Sequence, residues 1–253
     1  MPVMVVVLSR AAEADVVGWP DPSGPVWILR PGATELAGHV GRHRAESVVV
    51  LTRPQDARAG RLAMTVAAGA NPATRFAMRV APVSVLALAA LGRQAVGTCA
   101  SAADVLRWVD AHLDDLLSGV CLTRVGKLDR PSPGIWQHLR SMLPGSPGFV
   151  VTFGDQARVS STPLEVAQEA TLLVGASDPA AAAPQLQGAR PVTVPPAVST
   201  QECYGSAGAE FVALPRPREL PPARTTCRIC DEPSDDLTCP FCHVVLNPQE
   251  HVA

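Results

Sequence analysis

Four cysteines near the C-terminal end carry the clearest chemical signal in the chain. They form two Cys-x-x-Cys pairs, Cys227 with Cys230 and Cys239 with Cys242, separated by eight residues. Four thiolates at this spacing can close a tetrahedron around one Zn²⁺ ion. A segment this short cannot bury a core of its own, and a metal would supply the missing stability, on the order of 10 kcal/mol. The pattern therefore predicts a structural zinc site.

The second pair, Cys239-Pro240-Phe241-Cys242, resembles the Cys-Pro-x-Cys knuckle of the zinc ribbon. The resemblance covers about residues 225–248 and implies a small structural module, while no family is recognised for residues 1–215. This chain departs from the family in its short stretch between the knuckles and in His243, where glycine is usual. Four apolar residues are expected to shield the metal: Ile229, Leu237, Phe241 and Val244.

Three other chemistries for the cysteines stay open. Residues 239–243 match the Cys-x-x-Cys-His pattern of haem c attachment, but that chemistry requires export and leaves Cys227 and Cys230 unexplained. A redox-active pair and a rubredoxin-like iron site also fit the thiols chemically.

The residues around the cysteines are mainly acidic. They are Asp231, Glu232, Asp235, Asp236 and Glu250, against Arg228. Nucleic-acid binding requires a basic patch, so this charge argues against it. We expect a non-catalytic cytoplasmic accessory or scaffold protein whose zinc ribbon assembles with a protein partner or a neighbouring subunit. For the tail, the alternative is a terminal cap that folds against its own body.

Two other functions remain as alternatives for the whole chain. One is an enzyme with an unrecognised site in the body and a purely structural zinc, and the other is nucleic-acid binding through Arg216, Arg218 and Arg224. The chain contains no P-loop, GxSxG or HExxH motif, and Ser9 and Arg10 follow the first predicted strand where a dinucleotide fold would place GxGxxG.

One weak constellation lies in the body. Glu35, His39 and His43 recur every four residues and share one face of a helix predicted for residues 34–46. Two histidines one turn apart can chelate a metal, but Arg42 beside them disfavours a cation. An exposed polar helix face is the preferred interpretation.

Short, nearly all-apolar runs predict the strands of the body. Runs without polar alternation suit strands that are covered on both faces. The predicted strands are residues 3–8, 26–29, 47–52, 74–80, 149–153, 171–174 and a strand returning to the body at 210–214. With the helices between them, they predict an α/β or α+β layered body with a mostly buried sheet.

Helices are predicted from apolar periodicity and capping residues. One begins at Ser101, and its apolar stripe continues to Leu117 before Gly119 ends it, with His112 on the exposed side. Residues 83–91 and 163–170 are also assigned to helices. A further helix begins at Ser132, ends at residues 144–145 and exposes His138; its predicted buried residues are Ile135, Leu139, Met142 and Leu143.

The composition defines the class of protein. Of the 253 residues, 47% are hydrophobic but only 4% are aromatic, so the core must be built from Val, Leu and Ala. The net charge of −2 gives no bulk attraction to nucleic acid or to an anionic membrane. Twenty arginines against one lysine indicate a bacterial, high-GC coding bias.

The apolar run at the N-terminus is short and has no basic residue before it, and no run is long enough to span a bilayer, so we expect a cytoplasmic location. We expect residues 1–176 to form the body, 177–224 to be an Ala- and Pro-rich linker containing the returning strand, and 225–253 to be the zinc-ribbon tail. Residues 178–200 are expected to be extended or mobile.

Overall fold

The computed structural model describes residues 3–12, 26–32, 34–128, 130–143, 148–176 and 183–246. The helices are α1 (Glu35–His43), α2 (Ala57–Ala70), α3 (Val85–Thr98), α4 (Ala102–Leu113), α5 (Ile135–Met142) and α6 (Thr200–Tyr204). The strands are β1 (Val3–Leu8), β2 (Val26–Leu29), β3 (Ser47–Thr52), β4 (Arg75–Val80), β5 (Leu117–Leu122), β6 (Phe149–Thr152), β7 (Arg158–Ser160), β8 (Leu164–Val166), β9 (Thr171–Gly175), β10 (Leu186–Gly188), β11 (Pro191–Val194), β12 (Gly208–Leu214), β13 (Thr225–Thr226) and β14 (Pro233–Ser234).

The first sheet is parallel and is covered by helices on both faces. Its strand order is β2-β1-β3-β4. Met4, Val6 and Leu8 pack in a cluster with residues of α1 and α2, whereas Val5 and Val7 pack in a cluster with residues of α3. Coverage of both faces explains why these strands are nearly all apolar, and it confirms the predicted α/β layered body.

Helix α3 lies between this sheet and a second, mixed sheet. The second sheet has the order β11-β9-β12-β5-β6-β7, with β12 antiparallel to both of its neighbours. Helix α3 contacts β1 on one side and β12 on the other, and every residue from 85 to 92 is buried. A helix enclosed on both sides has no polar face, which is why this run is apolar all round.

Much of the predicted linker belongs to sheets. Residues 186–214 contain β10, β11, α6 and β12, and the predicted returning strand is β12, which lies between β5 and β9. The helix predicted for residues 163–170 is wrong, because residues 164–166 form β8 and pair with β10. Their pairing partners are distant in sequence, so local composition does not reveal them. Residues 177–182 lie outside the described residues, and the division into domains stays a prediction.

Helix α4 begins at its predicted cap but ends earlier than predicted. The Ser101 hydroxyl accepts a hydrogen bond from the Asp104 backbone N–H, as expected. The helix ends at Leu113, because Leu117 already belongs to β5. His112 is buried rather than exposed: one ring nitrogen lies 2.8 Å from the Trp108 carbonyl oxygen and the other 3.2 Å from the Arg218 backbone nitrogen.

Helix α5 turns its apolar side to the solvent. Its large apolar residues and the next residue are 50–82% exposed: Ile135, Trp136, Leu139, Met142 and Leu143. On the inward side, Gln137 donates a hydrogen bond to the Val159 carbonyl oxygen at 2.7 Å, and Ser141 is buried. The predicted burial of the apolar residues is therefore wrong, because the polar side of the helix finds its acceptors in the body. The predicted end at residues 144–145 lies outside the described residues.

Within the part of the chain that the structure describes, no helix combines the length and the apolar character needed to cross a bilayer. The cytoplasmic location stays a prediction.

The enclosure of α3 predicts opposite effects for two glycines of this helix. A Cβ at Gly92 would lie 2.8 Å from Cγ1 of Val5, whereas a Cβ at Gly97 would have no atom within 4 Å. We expect Gly92→Ala to destabilise the fold by about 1–3 kcal/mol through overpacking. Gly97→Ala should stabilise it by about 0.5–1 kcal/mol. Urea denaturation measures both, and equal effects of the two substitutions would contradict the tight packing of α3.

Candidate functional site

The first sheet has one topological switch point, between β1 and β3. From these adjacent strands the chain continues in opposite directions, to β2 on one side and to β4 on the other. In open α/β sheets, ligands bind outside the carboxyl ends of the strands at such a point. Here the carboxyl ends carry Ser9 after β1, and Thr52 and Arg53 at the end of β3.

Buried polar residues converge at this point. We call them the switch-point cluster: Ser9, Thr52, Arg53, Asp56, Ser84, Tyr204 and Glu210. The Thr52 hydroxyl donates to the Leu8 carbonyl oxygen at 3.0 Å, which ties the ends of the two strands together. The cluster unites the parallel sheet, the start of α3 and the second sheet, because Tyr204 ends α6 and Glu210 belongs to β12.

Arg53 is the cation of this cluster and is only 5% exposed. Its Nη1 donates to the Tyr204 hydroxyl at 3.2 Å, and its Nη2 lies 3.5 Å from Oδ2 of Asp56. Burial alone would lower the pKa of Arg53, but Tyr204, Cys203, Glu210 and Asp56 together raise it above its ordinary value. The guanidinium therefore stays charged.

Glu210 places a carboxylate at the N-terminal end of α3. Its Oε1 accepts from the Val85 backbone N–H at 3.2 Å and its Oε2 from the Leu86 N–H at 2.9 Å. The Tyr204 hydroxyl also donates to Oε1. Burial raises the pKa of Glu210, although Arg53 and these hydrogen bonds oppose the shift. One side chain thus joins the second sheet to α3 and to Tyr204.

Asp56 completes the cluster. Its Oδ1 accepts from Nε of Arg10 at 2.9 Å, but Arg10 itself is 66% exposed. Its Oδ2 is buried and accepts no hydrogen bond within the described residues. A buried carboxylate oxygen in this state is an open acceptor for a donor group.

The sequence analysis did not predict this cluster. The available signal was position: Ser9 and Thr52-Arg53 follow directly on two apolar strands, and the carboxyl ends of adjacent parallel strands meet at one edge. Tyr204 and Glu210 gave no such signal, because they come from a segment interpreted mainly as linker.

The weak constellation of Glu35, His39 and His43 is not among the groups of described residues whose ligand atoms converge on one point. Glu35 is exposed, and His39 is buried, with its ring centroid 4.6 Å from that of His43 and 5.2 Å from that of Trp27. Burial, His43 and Arg42 lower the pKa of His39 to about 4. His39 therefore belongs to an aromatic cluster with Trp27 and His43, and the exposed polar face predicted for it is wrong.

The four cysteines do converge. All four sulfur atoms lie within 4.8 Å of one another, with the shorter separations between 3.2 and 3.6 Å. These separations are too long for a disulfide bond, which places two sulfurs about 2.05 Å apart. Cys227, Cys230, Cys239 and Cys242 thus form a four-sulfur group with the geometry of a metal site.

Both Cys-x-x-Cys pairs lie in turns of the same form. The Asp231 N–H donates to the Cys227 carbonyl oxygen at 2.8 Å, and the His243 N–H donates to that of Cys239 at 2.9 Å. Asp231 and His243 each have φ of 57°, in the left-handed region that favours glycine. His243 therefore occupies the position at which the zinc-ribbon family usually has glycine.

The apolar residues around the cysteines do not all shield them. Ile229 and Leu237 are 70% and 73% exposed, and Val244 is also exposed. Phe241 packs on the cysteines as predicted, together with Leu246, and Phe241 also packs against the core around α3. Phe241 thus joins the tail to the body.

Charged residues fasten the tail to the same body. Three arginines of β4 and α4 pair with three acidic residues of the tail: Arg75 with Glu232 at 3.0 Å, Arg79 with Asp236 at 3.4 Å, and Arg107 with Asp235 at 2.7 Å. Three of the five acidic residues that predicted a docking surface for another protein therefore contact their own chain, and Glu250 lies outside the described residues.

No protein-family model and no curated protein match the sequence. Solved structures match the fold over most of its length. DegV family protein Cg2579 from Corynebacterium glutamicum aligns with a TM-score of 0.54 at 16% identity, over 87% of this chain and 99% of that chain. A fatty-acid-binding DegV family protein from Thermus thermophilus gives 0.53 at 12%, over 85% and 99%. The Fatty Acid Kinase (Fak) B3 protein from Streptococcus pneumoniae, loaded with linoleic acid, gives 0.53 at 9%, over 85% and 99%. At these identities the likeness shows the fold: the body is an α/β structure of the DegV type.

These findings overturn the prediction of a scaffold protein whose zinc ribbon mediates assembly. Similar structures include those of fatty-acid-binding proteins, and the tail contacts its own body. The tail makes the contacts expected from the alternative interpretation of the sequence, in which it is a terminal cap that folds against its own body.

The burial of Glu210 predicts a pH dependence of stability. Because its pKa is raised in the folded state, the folded chain binds the proton more tightly than the unfolded chain does. The contribution of Glu210 to stability is therefore fully present below its ordinary pKa of 4.5 and is lost as pH rises through the folded value.

We expect the free energy of unfolding of the wild type, minus that of Glu210→Gln, to fall as pH increases above about 4.5. Urea denaturation across this range measures the difference. Glu202→Gln, at an exposed carboxylate of α6, is the control and should run parallel to the wild type. A difference that grows with pH for Glu210→Gln would contradict the assigned direction.

Proposed function

We propose that this chain binds a lipid with a long acyl chain. The observation that carries the proposal is the match over 99% of their length with DegV-type structures, one fatty-acid binding and one loaded with linoleic acid. A cytoplasmic location and a protein partner stay predictions.

The switch-point cluster is the proposed place for the polar end of the lipid. A head group that leaves water needs buried hydrogen-bonding or charged partners. Among the described residues, Arg53 is the one lysine or arginine that is buried, and it lies at this cluster. The cluster also borders an apolar layer, because Val85 and Leu86, whose N–H groups meet Glu210, belong to the core around α3. A polar end next to an apolar layer suits an amphiphile.

Acyl-chain binding predicts a dependence of affinity on chain length. Each buried methylene contributes about 0.8 kcal/mol, roughly a fourfold gain in affinity. Titration calorimetry with delipidated protein and 1-alkanols of increasing length should show this gain until the site is filled. Mass spectrometry of an organic extract of the purified protein should detect a bound acyl lipid. Affinity that does not change with length, together with a lipid-free extract, would contradict the proposal.

We further propose that the four clustered cysteines hold one structural Zn²⁺ ion. Tetrahedral zinc with Zn–S bonds of about 2.3 Å requires sulfurs about 3.8 Å apart, close to the separations of 3.2–3.6 Å in this group. When bound, the metal would supply stability to a tail too short for a core of its own. The positions of Glu232, Asp235 and Asp236 opposite their arginines would then depend on the metal.

Removal of the metal should release the tail while the body stays folded. We expect one zinc per chain by elemental analysis, and its loss in Cys227→Ser. Limited proteolysis of that variant should then cut within residues 215–246 faster than in the wild type. Cys99→Ser, outside the four-sulfur group, is the matched control and should keep both metal and protection. Stoichiometric iron, or a disulfide among the four cysteines, would contradict the assignment.

A further inference from the structure

The switch-point cluster already contains two carboxylates of the chain itself. Its buried charged groups are the Arg53 cation and the side chains of Asp56 and Glu210. If Glu210 is ionised, these groups carry one excess negative charge, and if it is protonated they are balanced. Arg10 adds a positive charge, but its side chain is 66% exposed and is directed to Asp56 Oδ1 and to the Gln55 carbonyl oxygen. The buried groups therefore hold no surplus positive charge for a ligand carboxylate.

The donors that could hold a carboxylate are also in use. The N–H groups of Val85 and Leu86 and the Tyr204 hydroxyl all donate to Glu210. The next N–H of α3, that of Ala87, donates to the Ser84 hydroxyl. A second carboxylate at the start of this helix would meet donors already in use and no surplus positive charge, which costs free energy in a buried site.

The atom of the cluster that lacks a hydrogen bond is an acceptor. Oδ2 of Asp56 is buried without a hydrogen bond in the described residues, and Arg53 lies 3.5 Å away, beyond a short charge-assisted bond. A buried acceptor without a hydrogen bond carries a desolvation cost, and a ligand that donates to it recovers this cost. A hydroxyl, an amide N–H or a protonated carboxylic acid can donate, whereas a carboxylate cannot.

We infer that the lipid bound by this chain has an uncharged, hydrogen-bond-donating head group, and that Glu210 is the residue that excludes the carboxylate form. This inference rests on the proposed acyl-lipid function and specifies its ligand class. Glu210 acts as an internal carboxylate in the place of a ligand's own, and Asp56 receives the donor of the head group.

The test compares two ligands that share a chain and differ in head group. 1-Decanol and decanoate are titrated at pH 8 into the delipidated full-length protein and into Glu210→Gln. We expect the wild type to bind 1-decanol at least about tenfold more tightly than decanoate, since Glu210 occupies the donors at the start of α3 and the buried groups hold no surplus positive charge for a carboxylate. Glu210→Gln, whose amide can donate a hydrogen bond to a carboxylate, should raise the decanoate affinity relative to the decanol affinity, so that the ratio narrows by at least about threefold.

Glu202→Gln removes an exposed carboxylate and should leave the ratio at its wild-type value. Circular dichroism checks folding, and if Glu210→Gln does not fold, Asp56→Asn replaces it and should weaken decanol binding, because an open carboxylate acceptor is lost. Decanoate binding as tight as decanol binding in the wild type, or a ratio unchanged in the folded variant, overturns the head-group inference alone. If neither ligand binds any of the proteins, the acyl-lipid proposal itself fails.

Discussion

The architecture depends on the complete enclosure of one helix. Helix α3 lies between the parallel sheet and the mixed sheet, so no part of its first half reaches water. This requires an apolar sequence on every side and a residue without a side chain at Gly92, where Val5 approaches. The enclosure also leaves the first N–H groups of the helix without water, and these groups have no acceptor within the helix. Glu210 of the second sheet accepts hydrogen bonds from two of them.

The same contact determines the character of the candidate site. A carboxylate that caps a buried helix must itself be held by donors, and Tyr204 and Arg53 occupy the positions that do so. The carboxyl edge of the parallel sheet, where a ligand is expected in such folds, is thereby supplied with negative groups from within the chain. A fold shared with fatty-acid-binding proteins can thus carry a head-group preference of its own, since the fold places the site and the side chains decide its charge.

The tail is held together by different interactions from those of the body. Its four cysteines require no partner beyond a metal to define a local structure, but they leave most nearby apolar residues exposed. Its contact with the body comes from Phe241 and from paired charges on β4 and α4. Charge pairs at a partly exposed surface contribute little stability individually, so burial of Phe241 provides the apolar part of this attachment.

Local patterns in the sequence were sufficient to predict the features whose signal lies within a short stretch of the chain. The all-apolar runs of β1, β2 and β3, the cap of α4 and the spacing of the four cysteines are each visible within a few residues. The sequence alone revealed β9 but not β8, β10 and β11, because the hydrogen-bonding partners of these short strands lie elsewhere in the chain. It misassigned the sides of α5, where hydrogen bonds to the body outweigh the apolar periodicity. The tertiary structure alone decided the candidate site, because Arg53 and Asp56 lie far in sequence from Tyr204 and Glu210, and burial around α3 brings the four side chains into one cluster.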